Sequence, residues 1–228
     1  MRVKLCGICR PADAALAAAV GADYLGVILS RGFARSREPL EAATIYAAAG
    51  TLRRAGVFVD EARATVEAAV ARFGLHVIQL HGAEPPALAR ALRHPDVEVW
   101  KALRPRAAED LLAAALSYVG AADALLLDGA GAGGTGARFD WEAVAEVRAR
   151  LPAELRLVVA GGLTPVNVAE AVTRLRPDVV DVSSGVEAAP GEKSPQAVRA
   201  FVAAARAAAA ALGAAGAGPR ASEPEGER

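Results

Sequence analysis

The chain has no excess charge of either sign: 26 basic and 26 acidic residues cancel and are interspersed. A nucleic-acid interface needs clustered basic residues, and none stands out. No apolar run approaches the ~18 residues of a membrane span, so neither a nucleic acid nor a membrane is an expected partner. The N-terminus, Met1-Arg2-Val3-Lys4-Leu5-Cys6-Gly7, runs directly into an apolar strand pattern, without the charged start and long apolar stretch of a signal peptide. The expected location is the cytoplasm. Cysteine is scarce, with only Cys6 and Cys9, and without an export signal a stabilising disulfide is not expected. Lysine is almost as rare (Lys4, Lys101 and Lys193), and the preference for arginine is consistent with base composition rather than function.

What the chain does have is rhythm. Eight short apolar runs recur: Val3–Ile8, Tyr24–Ser30, Ala55–Val59, Val77–Gly82, Val97–Leu103, Ala124–Gly129, Leu155–Gly162 and Val179–Gly185. Between them lie Ala/Leu/Arg/Glu segments long enough for helices. Strands alternating with helical segments imply parallel βαβ units, and eight units in about 200 residues fit a compact (β/α)₈ TIM barrel. The units share no sequence motif. Ala124–Leu127 and Leu157–Ala160 have the continuous apolar character of strands buried on both faces. Asp140 is placed to cap a helix from Trp141, and Pro165 and Pro195 suit first helical positions. A single barrel domain is expected over 1–212, with the last helix ending near Leu212. The Gly/Ala/Pro/Glu-rich stretch 213–228 has little to bury and reads as a disordered tail.

A barrel of this kind carries its chemistry at the C-terminal ends of the strands, and its phosphate sites in the loops after strands seven and eight. Those loops contain Gly161-Gly162 and Ser183-Ser184-Gly185, where glycine allows backbone N–H groups close to an anion. Cys6 ends strand one and Asp128 ends strand six, on either side of that pair. A thiol and a carboxyl so placed suit proton transfer, with burial raising the carboxyl pKa and positive charge lowering that of the thiol. Lys4 lies on the same face as Cys6 and could supply that charge, though Lys4 and Lys101 also admit Schiff-base chemistry. Arg31, Arg35 and Arg37, after strand two, could clamp a carboxylate. His81, after strand four, could be either a packing residue or a site residue.

Three motifs carry less. Cys6-Gly7-Ile8-Cys9 has no second pair to complete a zinc site, so no metal is expected, and its redox reading is minor. Gly129-x-Gly131-x-x-Gly134 lacks the acidic partner of a dinucleotide site. Residues 129–138 read better as a lid over the pocket.

Several blocks together resemble the phosphoribosylanthranilate isomerases. They are Val3-Lys4-Leu5-Cys6-Gly7-Ile8, Gln79-Leu80-His81-Gly82, Leu126-Leu127-Asp128, Gly133-Gly134-Thr135-Gly136 and Phe139-Asp140-Trp141. Ala160-Gly161-Gly162-Leu163-x-Pro165-x-Asn167-Val168, Asp181-Val182-Ser183-Ser184-Gly185-Val186-Glu187 and Pro190-Gly191-x-Lys193 follow in family order. The resemblance implies a cofactor-free Amadori rearrangement of N-(5′-phosphoribosyl)anthranilate to 1-(2-carboxyphenylamino)-1-deoxyribulose 5-phosphate in tryptophan biosynthesis. It places Cys6 as general base, Asp128 as general acid, and Gly162, Ser184 and Gly185 at the substrate phosphate. His81 and Asp181 fall near the anthranilate and the sugar. Counting back four residues from Pro39 selects Arg35 as the substrate-gripping arginine, but Ala34 stands where the family has proline, which keeps Arg37 in play. Cys9 replaces a common threonine. The competing readings are an indole-3-glycerol phosphate synthase working through lysine and glutamate, a silent phosphate-binding barrel subunit, and a two-substrate isomerase with paired aspartates. Family members occur as monomers or homodimers.

Overall fold

In a computed structural model, residues 1–104, 108–129 and 141–216 are described. Eight parallel strands close into one barrel in sequence order. They are β1 (Arg2–Leu5), β2 (Tyr24–Ile28), β3 (Arg53–Phe58), β4 (Val77–Leu80), β5 (Glu98–Leu103), β6 (Ala124–Asp128), β7 (Arg156–Ala160) and β8 (Val179–Val182). The barrel closes where β1 pairs with β8, Arg2 opposite Val179 and Leu5 opposite Val182. Around it run α1 (Pro11–Ala19), α2 (Pro39–Ala47), α3 (Arg63–Phe73), α4 (Pro86–Ala91), α5 (Ala108–Ser117), α6 (Trp141–Arg148), α7 (Val168–Leu175) and α8 (Pro195–Gly216). All eight expected strands form. Most end before the apolar run does, because the terminal Gly and polar residues turn into loops. Cys6 therefore sits one residue beyond β1, held by its N–H on the Val182 carbonyl at 2.8 Å.

Successive strand residues point to opposite faces, which splits the core in two. Val3, Leu5, Leu25, Val27, Leu125, Leu127, Leu157 and Val159 face outward under the helices. Tyr24, Ala55, Val77, Trp100, Ala124, Leu126, Val158 and Val179 fill the interior. Tyr24 and Trp100 meet edge to face inside, with ring centroids 5.0 Å apart. Continuing the inward parity upward gives Lys4 and Cys6, Gln79 and His81, Ala102 and Arg104, Asp128, Gly162, Asp181 and Ser183. The alternation that builds the core thus also selects which residues face the barrel mouth.

Four local expectations change. Pro165 does not open α7: it lies in a turn in which the Asn167 Oδ1 accepts from the Thr164 N–H at 2.7 Å, so the helix starts at Val168. The last helix does open at Pro195, but its alanines carry it to Gly216, past the expected boundary at Leu212. Residues 217–228, with most of the expected tail, lie outside the described residues. Finally, Pro195–Ala214 does reach the length and apolarity of a membrane span, 20 residues that include an 18-residue stretch of mean hydropathy 1.4. Here it is the outer helix of the barrel, docked through buried Val198, Phe201, Val202 and Ala205. Its Arg206 bonds to the Met1 carbonyl and Asp23. An antiparallel hairpin, β9 (Glu187–Ala189) and β10 (Glu192–Lys193), follows β8 and was not foreseen.

Candidate active site

A cavity of about 640 Å³ opens at the C-terminal end of the barrel. Cys6, His81, Asp128, Asp181, Gly161, Gly162, Ser184 and Gly185 all line it, so eight of the nine expected site residues share one space. The ninth, Arg35, is beside it. The putting-together follows from topology: β6, β7, β8 and β1 are consecutive in the closed sheet.

Asp128 is held by a chain of polar contacts from two neighbouring strands. His81 Nε2 lies 3.2 Å from Asp128 Oδ2, and Gln79 Nε2 lies 2.9 Å from His81 Nδ1. With the amide donating to Nδ1, the Nε2 proton is directed at Asp128 Oδ2. Arg104 Nε approaches the same oxygen at 3.5 Å from the end of β5. Gln79 and Arg104 were not singled out from the sequence. Both were accessible to it, since they stand two residues from His81 and Ala102 on the inward face.

Across the cavity, Cys6 is 8% exposed. Burial pushes its thiol pKa up, the Lys4 ammonium pulls it back, and Asp181 adds to the rise. The net direction is upward, which reverses the expectation of a lowered thiol pKa. Burial of the thiol is the larger effect, and Lys4 does not act as a free cation against it: its Nζ is 2.8 Å from Asp181 Oδ2, and both groups are buried. Asp181 Oδ1 is buried without a partner.

The glycine loops after β7 and β8 interlock. A Cβ on Gly185 would land on the Leu163 carbonyl oxygen, so only glycine lets the two loops approach this closely. Gly162 adopts φ +65°, a conformation natural to glycine. Ser184–Val186 forms a single 3-10 turn after β8. The loops after strands seven and eight are where barrels of this kind commonly hold phosphate.

Arg35 reaches the rim with its Cδ packed against Gly7 beside Ser183 Oγ. Its Nε and Nη2 are held by the two carboxylate oxygens of Glu187, 2.7 Å for the Nε pair. Lys193 Nζ shares the same carboxylate at 3.0 Å. Although burial alone would raise the Glu187 pKa, the bonds from Arg35 and Lys193 bring it down to about 2. Arg37 turns away, 4.0 Å from Glu41, with its Nε buried and unpaired, and Arg31 pairs with Glu38 on the surface. Cys6 and Cys9 are both free thiols, and Cys9 Sγ donates to the carbonyls of Gly7 and Arg35.

All three lysines are buried against carboxylates: Lys4 on Asp181, Lys101 on Glu84 and Lys193 on Glu187. Lys101 and Glu84 lie outside the cavity lining, so a lysine–glutamate catalytic pair is not presented there. Glu84 instead braces the loop carrying His81, accepting from the N–H groups of Asp60 and Gly82, each at 2.9 Å. The proposed lid, 129–138, and the Asp140 cap lie outside the described residues, apart from Gly129.

The family model of N-(5′-phosphoribosyl)anthranilate isomerase matches residues 3–204, nearly the whole chain. The chain belongs to this family. An isomerase of that name from Myxococcus xanthus is 45% identical over 222 residues, covering 90% of this chain and 96% of the relative. The crystal structure of phosphoribosylanthranilate isomerase from Thermotoga maritima superposes with a TM-score of 0.82 at 34% identity, covering 91% of this chain and 99% of that one. A second structure, of monomers generated from the dimeric T. maritima enzyme, gives a TM-score of 0.80 at 35% identity, with coverages of 91% and 99%. The chain is thus an isomerase of tryptophan biosynthesis on a TIM barrel.

Proposed function

We propose that this phosphoribosylanthranilate isomerase works with Asp128 as general acid and Cys6 as general base on N-(5′-phosphoribosyl)anthranilate. The observation that carries the assignment is that both groups line one cavity together with the two interlocked glycine loops. Gly161, Gly162, Ser184 and Gly185 would take the substrate phosphate through backbone N–H groups. That fixes the sugar between the acid on β6 and the thiol after β1.

Protonated Asp128 donates to the ribose ring oxygen. The C1′–O bond breaks as the anthranilate nitrogen lone pair forms a C=N bond, giving an open-chain iminium. The Cys6 thiolate then takes the proton from C2′, and its electron pair neutralises the iminium as an enolamine. Loss of the 2′-hydroxyl proton and protonation of C1′ give the 2′-ketone, so atoms and charge balance without a cofactor. His81, donating to Asp128 Oδ2, orients the acid.

Asp181 Oδ1 is available to accept from a sugar hydroxyl. Glu187 covers the Nε–Nη2 edge of Arg35, and the Nη1–Nη2 edge of a guanidinium still suits the anthranilate carboxylate. The small-molecule partner proposed for this site is the phosphorylated substrate. The protein would act in the cytoplasm.

The test is to generate phosphoribosylanthranilate in situ and follow its fluorescence decay. Wild type accelerates the decay, and Cys6→Ala and Asp128→Asn each lower turnover by two or more orders of magnitude while staying folded. Near-full activity in Cys6→Ala would remove the base assignment.

A further inference from the structure

Below the reacting groups lies a second polar layer to which the reaction assigns no role. Lys4 is completely buried in the barrel interior, one inward position beneath Cys6, and its Nζ is bonded to Asp181 Oδ2 at 2.8 Å. Burying an ammonium is costly unless it is paired, and a pair needed for packing alone could be made anywhere in the interior. This one is made directly under the thiol. Gly26 of β2 shows that the space is kept for the purpose. A Cβ there would fall 2.8 Å from Cys6 Sγ and 3.1 Å from both Cε and Nζ of Lys4. The thiol and the ammonium thus converge on a site in the wall that has no side chain. The carboxylate paired with Lys4 is only half satisfied, since Asp181 lines the cavity and its Oδ1 is buried with no partner.

We propose that Lys4 is a positioning residue shared between Asp181 and Cys6, and that a substrate hydroxyl bonding to Asp181 Oδ1 shifts the Lys4 charge toward the thiolate. Substrate binding itself then arms the base. In the empty site the carboxylate charge holds Nζ and also opposes ionisation of the thiol. A hydroxyl donated to Oδ1 disperses that charge, so both effects weaken, and the thiol loses its proton to solvent through the open cavity. This rests on Cys6 being the base.

The other groups near the thiol are constrained from their own elements. Arg35, from the loop after β2, and Lys193, on β10, are both held by Glu187. Tyr46, on α2, donates its hydroxyl to the Ala55 carbonyl. None of them is bonded to Lys4 or Asp181, so changes to the pair leave them in place.

The experiment reads thiol ionisation without turnover. Cys6 is alkylated with iodoacetamide from pH 6 to 10, and peptide mass spectrometry separates it from Cys9. Asp181→Asn keeps the shape of the carboxylate and removes its charge, mimicking the substrate-engaged state. Its alkylation midpoint is expected to fall by about one pH unit against wild type, roughly tenfold faster at pH 8. Lys4→Met alone leaves a buried unpaired carboxylate and is unsuited to the test. Lys4→Met with Asp181→Asn is neutral and is the informative variant. Its midpoint is expected at least one unit above that of Asp181→Asn, roughly tenfold slower at pH 8. Coincident profiles for these two variants would show that Lys4 does not act on Cys6. A midpoint in Asp181→Asn no lower than in wild type would remove the arming step. If the order of midpoints holds while Cys6→Ala still turns over, the coupling stands and the base assignment is what fails.

Discussion

Glu187 offers the sharpest quantitative test, because one carboxylate ties the rim arginine to a buried lysine. It accepts from Arg35 Nε at 2.7 Å and Lys193 Nζ at 3.0 Å, and its side chain is 6% exposed. Its pKa falls from 4.5 to about 2 in the folded protein. At 1.36 kcal/mol per pH unit, that depression corresponds to about 3 kcal/mol of stability. Because the folded pKa is the lower one, the contribution is fully present above the unfolded value of 4.5. It is lost as pH falls toward 2, where the folded carboxylate too takes a proton. Glu187→Gln should therefore lower the unfolding free energy by about 3 kcal/mol at pH 7 and by under 1 kcal/mol at pH 2. Urea denaturation of both proteins across that range measures the difference directly, and common acid effects cancel in it. A difference that stays constant with pH would mean that the cost comes from altered packing and not from the charge network. Loss of Glu187 also frees Arg35, so KM for phosphoribosylanthranilate should change in the same variant.

Two further substitutions probe the loops. Gly185→Ala places a methyl on the Leu163 carbonyl and must part the two loops proposed to hold phosphate, so competitive inhibition by inorganic phosphate should weaken at least tenfold. An unchanged inhibition constant would move the phosphate elsewhere. Glu84→Leu strands the Lys101 ammonium and the N–H groups of Asp60 and Gly82, at a cost of about 3–5 kcal/mol in denaturant unfolding. Glu84→Gln, which keeps an acceptor, should recover part of it, and a loss below 1 kcal/mol for Glu84→Leu would show that the brace is not structural.

The barrel was legible because every strand is a short apolar run between helical segments, a pattern that survives without any repeated motif. Strand ends were less legible. The run Val179–Gly185 reads as one strand, yet pairing stops at Val182, since Ser183 and Gly185 are needed for a turn and a close approach to Leu163. Pro165 was misplaced for a related reason: the Asn167 Oδ1 closes a turn back onto the Thr164 N–H, and the helix begins only after it, at Val168. Local propensity could not choose between the two starts, because the deciding bond spans the whole turn.

The site was legible to the extent that it follows strand parity. Cys6, His81, Asp128 and Asp181 all continue the inward face of their strands; the closed order of β6, β7, β8 and β1 brings Cys6, Asp128 and Asp181 together, and His81 reaches Asp128 from the end of β4. Charge state is different, because it depends on pairs separated by most of the chain. Lys4 stands two residues from Cys6, which suggests a cation lowering the thiol pKa; but Asp181, 177 residues away, takes up that cation at 2.8 Å. Burial then outweighs what attraction remains, and the thiol pKa goes up. Arg35 follows the same logic, since Glu187 holds one edge of the guanidinium from 152 residues away. Lys4 and Arg35 are thus each held by a carboxylate from a distant part of the chain, and Arg35 shares its own with Lys193.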